Sequence, residues 1–275
     1  MTWFWALLLT ISQAGYLQMK GEPKLELRAD AQGLRLEGEY QIENHGDEIS
    51  RDVYPQFDLD RFVWRGSPQV LESGGKYVWK ISERIPVDDL RPPLQGRFPL
   101  FVWTHYSDQN GYAFTVPSVD FLEVQAENVK VGPVLKMEIS TPSEGEYKLE
   151  LKISNPSGEK RRFQPRILLP REVKLLGSEV PLEVLPQAEL SSFYAFKNVK
   201  GLAGSLYQVF VVLEWEEGGR RQATLVSSTF KVHASSKASS HKWSIEQTFW
   251  AWWAWVVAVG LILMWAFWLR PLKRF

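Results

Sequence analysis

The side chains with catalytic potential are four histidines and several aspartates. Asp58 and Asp60 are two positions apart, so on a strand they share a face. A glycosidase needs two carboxyl groups at a set separation across a cleft, which a sequence alone does not reveal. His105 beside Asp108 is the nearest approach to an acid–base pair. A strand histidine near a hairpin aspartate is the favoured interpretation of that pair.

Patterns specific for other chemistries are missing. The sequence contains no H-E-x-x-H zinc motif, no glycine-rich phosphate loop and no G-x-S-x-G elbow. Cysteine is absent, which excludes disulfides, thiolate nucleophiles and cysteine zinc sites. The run Asp108 to Gly111 faintly resembles part of a calcium loop, but a hairpin turn is favoured because the other ligand positions are missing. We therefore expect no catalytic residues, no metal, no cofactor and no enzymatic activity. A glycan-acting enzyme remains the alternative, and its candidate carboxylates are Asp58, Asp60, Asp88, Asp89 and Asp108.

Aromatic side chains of the first half suggest a second kind of site. Carbohydrate-binding sandwiches present aromatic platforms to sugars, and exposed aromatic residues also mark protein interfaces. Packing in the core is the competing interpretation for most of them. The candidate ligand or interface residues are Trp64, Trp79, Trp103, Tyr106 and Tyr112.

The elements that position these residues are predicted to be strands. Apolar and polar residues alternate with period two between turn residues, as in Leu25 to Ala29 and Tyr147 to Ile153. Asn110-Gly111 and Gly218-Gly219 are typical of hairpin turns. Further strands are predicted in 53–59, 77–85, 97–106, 112–116, 163–169, 173–176, 180–185, 192–196, 206–215 and 222–232. The pattern predicts an all-β fold with no helix before residue 248.

The two halves are similar to each other, with a period near 110. The stretch Glu39 to Asn44 parallels Lys148 to Asn155, and Gly96 to Gly111 parallels Gly204 to Gly219. Strands at this spacing in two blocks of about 100 residues predict two tandem immunoglobulin-like β-sandwiches, at 22–128 and 131–233. A linker over Ala126 to Val134 would join them.

A family resemblance follows from the same stretches. The run Glu39 to Gly46, the strand start Gly96-Arg97-Phe98-Pro99-Leu100 and the hairpin Tyr106 to Tyr112 resemble bacterial immunoglobulin-like domains of the cell-adhesion-related type. Asn155-Pro156-Ser157-Gly158 of the second half is similar. The resemblance covers about half of the region between the termini and is carried by turns and strand patterns. The resemblance implies an immunoglobulin-like fold and an extracytoplasmic location, and it implies no catalytic residues.

The two termini predict a membrane protein. Residues 1–14 contain an apolar run and a small-x-small pattern that fit a signal peptide, and an uncleaved anchor is the alternative. Residues 234–247 form a small, polar, flexible linker. Residues 248–269 are apolar and uncharged, and at about 1.5 Å per residue they match the thickness of a bilayer core. Residues 270–275 are basic, which predicts a cytoplasmic tail. The residues expected at the membrane interface are Trp250, Trp253, Trp268, Arg270, Lys273 and Arg274.

Charge and topology together define the expected function. The formal net charge is zero, which does not favour nucleic acid as a partner. The first half is acidic and the second is basic, which indicates solvated faces, a cationic partner of the first half or attraction between the halves. We expect a single-pass protein of the cell membrane, with its sandwiches periplasmic or at the cell surface. The expected partners are membrane lipids and an envelope or membrane protein, with a glycan as the alternative. The expected function is an interaction or scaffold role in cell-envelope or polysaccharide assembly.

Overall fold

The computed structural model describes residues 18–30, 33–125, 132–143, 145–201 and 204–232. This part of the chain is all-β, apart from a short 3₁₀ helix over Val87–Asp89. The predicted signal peptide, the linker, the apolar segment 248–269 and the basic tail lie outside the described residues. Across the described ranges, no helix has both the length and the apolar character needed to cross a membrane.

The first half consists of two sheets that enclose one core. Its strands are β1 (Met19–Asp30), β2 (Gly33–Asn44), β3 (Ser50–Leu59), β4 (Phe62–Arg65), β5 (Gln69–Leu71), β6 (Lys76–Ile85), β7 (Gly96–Ser107) and β8 (Ala113–Val124). One sheet has the order β1-β2-β6, and the opposing sheet contains β3, β4, β5, β7 and β8. Alternate residues of each strand face inward, so the apolar residues of the alternating pattern form the core. Tyr40, Phe57 and Phe98 are among its largest buried side chains.

The second half repeats this plan around a core of its own. Its strands are β9 (Val134–Ser143), β10 (Glu146–Ser154), β11 (Arg161–Leu168), β12 (Val173–Leu176), β13 (Leu182–Val184), β14 (Glu189–Asn198), β15 (Leu206–Glu217) and β16 (Arg220–Lys231). One sheet has the order β12-β14-β10-β9, and β11, β13, β15 and β16 form the opposing sheet. Tyr147, Phe163 and Phe196 are fully buried in this core.

Most predicted strands are present at nearly the predicted positions. The alternation that predicted Tyr147 to Ile153 lies in β10, and the predicted segment 173–176 coincides with β12. Three strands were not predicted: the two short strands β4 and β5, and β9. The expectation of a linker as far as Val134 was wrong at its end, because β9 begins at that residue. Leu135, Met137 and Ile139 alternate along β9 and pack against the second core, so the signal was present in the sequence.

Two buried asparagines hold the same position in the two halves. Asn44 and Asn155 are 111 positions apart, and both are fully buried. The Nδ2 group of Asn44 donates to the carbonyl oxygens of Glu48 (2.7 Å), Leu71 and Glu72 (both 3.2 Å). That of Asn155 donates in the same way to carbonyl oxygens four, 29 and 30 residues further along the chain. Each asparagine thus ties the end of one strand to two later segments, so the two halves share this arrangement.

The halves differ at one strand. β4 and β12 begin 111 positions apart, at Phe62 and Val173, yet they join opposite sheets. β4 pairs with β3, whereas β12 pairs with the last four residues of β14. The corresponding end of β6, from Ser82 to Ile85, pairs only with β2 among the described strands. The first half therefore leaves open an edge that the second half covers.

Replacing either asparagine tests the repeat. Asn44→Ala and Asn155→Ala each remove the donors of three buried carbonyl bonds, and we expect each to lower the free energy of unfolding by on the order of 3 kcal/mol. Urea denaturation followed by tryptophan fluorescence measures this change. Asn110→Ala, on the exposed hairpin loop, is the matched control and should change stability little. A neutral effect at Asn155 with a large effect at Asn44 would contradict structural equivalence.

Candidate functional site at the junction of the halves

The structure separates the aspartates that the sequence analysis considered as catalytic. Asp58 lies in β3, where its carboxylate accepts hydrogen bonds from Trp103 Nε1 (2.7 Å) and Gln56 Nε2 (2.9 Å). Asp60 lies in the turn after β3 with a positive φ of 55°, so the shared strand face expected for these two residues was wrong. The carboxylate of Asp108 accepts bonds from the backbone N–H groups of Asn110 and Tyr112, which makes it a hairpin residue.

The remaining candidates do not form a reactive pair. His105 Nδ1 lies 3.1 Å from Thr115 Oγ1, and its ring stacks on Tyr54, so its neighbour is not Asp108. Burial, followed by the charges of Arg65 and Arg171, lowers the pKa of His105. Asp88 and Asp89 lie on the 3₁₀ helix. Within the described ranges no group of three or more metal-ligating side chains is found.

The five candidate aromatic residues do not share one surface. Trp79 and Tyr106 are buried in the first core, so they cannot stack on a sugar at the surface. Trp64 is half-buried and stacks on Phe57, with ring centroids 5.0 Å apart. Trp103 is half-buried beside the second half of the chain. Tyr112 alone among the five is largely exposed, at 69%.

A third apolar cluster joins the two halves. It lies outside both cores, on sheet faces that would otherwise meet solvent. Its buried members are Phe101 of β7, Leu168 of β11, Phe210 and Val212 of β15, and Ala223 of β16. The guanidinium of Arg166 lies 4.0 Å from the centre of the Phe101 ring, and that of Arg97 lies 4.0 Å from the Phe121 ring. Burial of this area favours one fixed arrangement of the halves.

A backbone pairing connects the two sheets beside this cluster. Gly96 of β7 and Arg221 of β16 form a parallel pair, and Arg221 N donates to Gln95 O at 2.8 Å. Gly96 has a φ of 114°, and a Cβ atom there would lie 1.9 Å from the Arg221 carbonyl oxygen. The close approach of the two backbones therefore requires glycine at position 96.

The Arg221 side chain is the centre of a charged cluster at the junction. Its guanidinium donates to both oxygens of Asp60 at 2.5 Å, and its Nε donates to Glu214 at 2.8 Å. Arg91 donates through Nε (2.9 Å) and Nη2 (2.7 Å) to Asp60, and through Nη2 (3.1 Å) to Glu214. Arg166 lies 3.8 Å from Glu214. The side chains of Asp60, Glu214 and Arg221 are only 1%, 6% and 6% exposed. Two carboxylates thus face three guanidinium groups, and the charge of Glu179 also acts on Arg166.

The pairing controls the ionisation of the buried acid. Burial by itself would raise the pKa of Asp60, but hydrogen bonds and charge from Arg221, and then bonds from Arg91, outweigh burial and hold the pKa at about 2. Burial likewise opposes the charge on Arg221, but its bonds to Asp60 and the charge of Glu214 raise its pKa. Both groups are therefore charged at neutral pH.

A cavity of about 200 Å³ opens beside this cluster. Arg91, Pro92 and Pro93 of the first half form one side of it. Arg162, Gln164 and Trp215 of the second half form the other side, and the buried Glu214 and Arg221 also line it. The cavity thus exists only because the two halves are joined.

The junction was not predicted from the sequence. Asp60 was considered only as a possible neighbour of Asp58 on a strand face. The one available signal was the opposite charge of the halves, for which attraction between them was one of three interpretations. Asp60 and Arg221 are 161 positions apart, so no local pattern connects them.

Comparison with known proteins gives only a distant resemblance in fold. A scan against protein-family models finds no match, and a search of curated proteins by sequence finds none. Among solved structures, Salmonella α-2-macroglobulin is 10% identical over 76% of this chain and 16% of its own, with a TM-score of 0.31. Red sea bream transglutaminase is 10% identical over 80% and 31%, with a TM-score of 0.26. A chain of the CsuC-CsuE chaperone-tip adhesion subunit complex of Acinetobacter baumannii is 11% identical over 76% and 97%, with a TM-score of 0.26. These similarities amount to a weak immunoglobulin-like resemblance and indicate no function.

Replacing Gly96 tests the backbone pairing at the junction. Gly96→Ala should lower the free energy of unfolding by about 2 kcal/mol or more, because the new methyl group clashes with Arg221 O in addition to the strained φ. Gly111→Ala is the matched control, since Gly111 also has a positive φ (82°) but open space around its Cβ position. Urea denaturation of both variants isolates the contribution of the close approach. Equal losses for the two variants would show that the backbones do not meet at Gly96.

The ion pair predicts a pH dependence of stability. Because the pKa of Asp60 is depressed from 3.8 to about 2, its contribution is present above about pH 4 and is lost as the pH falls towards 2. Over that window the wild type should lose about 2 kcal/mol more than Asp60→Asn. Denaturation at a series of pH values, with Asp88→Asn as the control at an exposed position, measures the difference. Parallel profiles of wild type and Asp60→Asn would overturn the assignment.

Proposed function

We propose that the chain is a membrane-anchored interaction or scaffold protein with two tandem immunoglobulin-like sandwiches outside the cytoplasm. In this proposal it is an accessory subunit of cell-envelope or polysaccharide assembly. The open edge of β6 is the observation that carries the interaction role. An unpaired strand edge presents backbone donors and acceptors to which an extended segment of another chain adds.

The difference between the halves shows what this edge lacks. Phe196 of β14 is fully buried and pairs with Leu175 of the covering strand β12. Glu83 of β6 holds the same position relative to β2 as Phe196 does relative to β10, but it is exposed. The first half also has exposed apolar residues on β4, β5 and β6. They are Val63 (51% exposed), Val70 (62%), Tyr77 (36%) and Val78 (40%).

The joined halves suit a scaffold. The third apolar cluster and the charged cluster hold the two sandwiches in one arrangement, so a partner bound to β6 has a fixed position relative to the second half. In the proposed topology the linker 234–247 and the apolar segment 248–269 follow β16 directly and attach this unit to the membrane. The basic tail 270–275 sets the sandwiches on the extracytoplasmic side.

The alternatives receive less support. A carbohydrate-binding platform needs several exposed, aligned rings, and Trp79 and Tyr106 are buried in the core. A glycan-acting enzyme needs two carboxyl groups facing one cleft, and Asp60 is instead bound by Arg221 and Arg91.

Photocrosslinking tests the proposed docking edge. A benzophenone amino acid is placed at Ser82, on the open end of β6, or at Ala195, the equivalent residue of β14 that pairs with Leu176 of β12. In cells that carry the full-length protein, we expect an adduct with a membrane-fraction protein from Ser82 and none from Ala195. Gel electrophoresis and mass spectrometry identify the adduct.

Two results would contradict the proposal. Equal adducts from the two positions, or none from Ser82, would show that β6 is not the docking strand. If external protease does not cut the sandwiches in cells with a permeabilised outer surface, the proposed extracytoplasmic location is wrong.

A further inference from the structure

The open end of β6 carries one charged side chain on its core-facing side. Ile81 and Ile85 face the first core and are 4% and 0% exposed. Glu83 lies between them and shares their face, because alternate residues of a strand point to the same side of a sheet. It is nevertheless exposed, and its carboxylate makes no hydrogen bond or salt bridge within the described ranges. An unpaired negative charge therefore lies where an added strand would meet the core.

The second half shows how a strand on this edge is aligned. There β12 is the strand that β6 lacks, and Leu175 of β12 lies opposite Phe196, the residue equivalent to Glu83. In the same register, a strand added to β6 places one inward residue directly opposite Glu83. Its inward residues two positions before and after that residue lie opposite Ile81 and Ile85.

The charge of Glu83 selects the chemistry of such a segment. A like charge directly opposite is destabilising, and an apolar residue there would shield the carboxylate from water without giving it a partner. A lysine or arginine instead forms a charge-assisted hydrogen bond with it. Apolar residues on either side extend the core beside Ile81 and Ile85, where burial is favourable. The edge is therefore suited to a segment that alternates apolar, basic and apolar residues on its inward face.

The same charge argues against a second copy of this chain as the partner. Two β6 strands paired edge to edge bring residues of the same facing together. The inward residues of β6 other than Glu83 are Tyr77, Trp79, Ile81 and Ile85. None of them is basic, so Glu83 of each copy would meet an apolar or aromatic residue or the other Glu83. An inward charge on an edge strand thus prevents self-pairing.

The undescribed stretches that lie on the same side of the proposed membrane do not supply the segment either. Residues 1–17 contain no lysine or arginine. Lys130, Lys237 and Lys242 lie in the stretches 126–131 and 233–247. Each of these lysines has a polar residue or glycine, and no apolar residue, two positions away on both sides. The occupant is therefore expected to come from another protein.

We propose that the open edge of β6, from Ser82 to Ile85, receives an extended segment of another protein with one lysine or arginine between two apolar residues, each two positions away. The basic side chain pairs with Glu83, and the two apolar side chains extend the first core. This inference rests on the proposed role of β6 as the docking strand, and it adds the chemistry of the partner.

Synthetic peptides test this pattern on the purified full-length protein in mild detergent. The protein carries a benzophenone amino acid at Ser82, and the peptides are Thr-Val-Thr-X-Thr-Val-Thr with lysine, leucine or glutamate as X. Peptide adducts are quantified by mass spectrometry after illumination. We expect the lysine peptide to give about tenfold more adduct than either of the others, because only its central residue pairs with Glu83. Benzophenone at Ala195, on the covered strand β14, is the control and should give no adduct.

A charge reversal separates this pair from general electrostatic attraction. In Glu83→Lys the order of the peptides should change, so that the glutamate peptide gives the most adduct. Glu72→Lys, between β5 and β6, makes the same change in net charge and should leave the order as in the wild type. Both side chains are exposed, so we expect thermal unfolding to be unchanged in the two variants.

The possible failures distinguish this inference from the proposed function. If the leucine or glutamate peptide gives as much adduct as the lysine peptide, or if Glu83→Lys leaves the order unchanged, Glu83 does not select the segment, although β6 still accepts a strand. If none of the peptides forms an adduct from Ser82, or if Ala195 gives equal adducts, the edge does not accept a strand, and the docking role of β6 fails as well.

Discussion

The arrangement of the two halves depends on the contact between Asp60 and Arg221. The carboxylate comes from a turn of the first half and the guanidinium from the hairpin of the second, and both are almost completely shielded from water. A buried charge without its partner is strongly destabilising, so neither side chain tolerates separation of the halves. The neighbouring apolar cluster supplies most of the buried area, but the ion pair selects the orientation in which that area is buried. The cavity beside it and the fixed position of β6 relative to the second half are consequences of the same contact.

The strands were predictable because their signal is local. Leu149, Leu151 and Ile153 alternate with charged residues, and in β10 they all face the second core. The short strand β4 carries too few residues for such a pattern, and its choice of sheet is made by tertiary packing. The hairpin role of Asp108 was also predictable, because Asn110-Gly111 has intrinsic turn chemistry.

The junction was not predictable for the same reason. The alternation of apolar and polar residues predicts that Phe101 and Val212 lie on the outer faces of their strands. It does not predict that another sheet covers them. Trp79 and Tyr106 illustrate the converse, since an aromatic residue in a strand has the same signature whether it packs inside or faces a ligand. Only the opposite charge of the halves pointed to contact between them, and it did not identify Asp60 or Arg221.

The separation of 161 residues between Asp60 and Arg221 also constrains the order of folding. The first half contains all strands of its own core, so it can form before the second half has left the ribosome. Until β16 is in place, however, Asp60 faces solvent and the outer faces around Phe101 are uncovered. Closing so long a loop is slow, because its entropy is lost before the contact forms. We therefore expect the junction to assemble last, and until then the incomplete chain exposes apolar sheet faces that the complete chain buries.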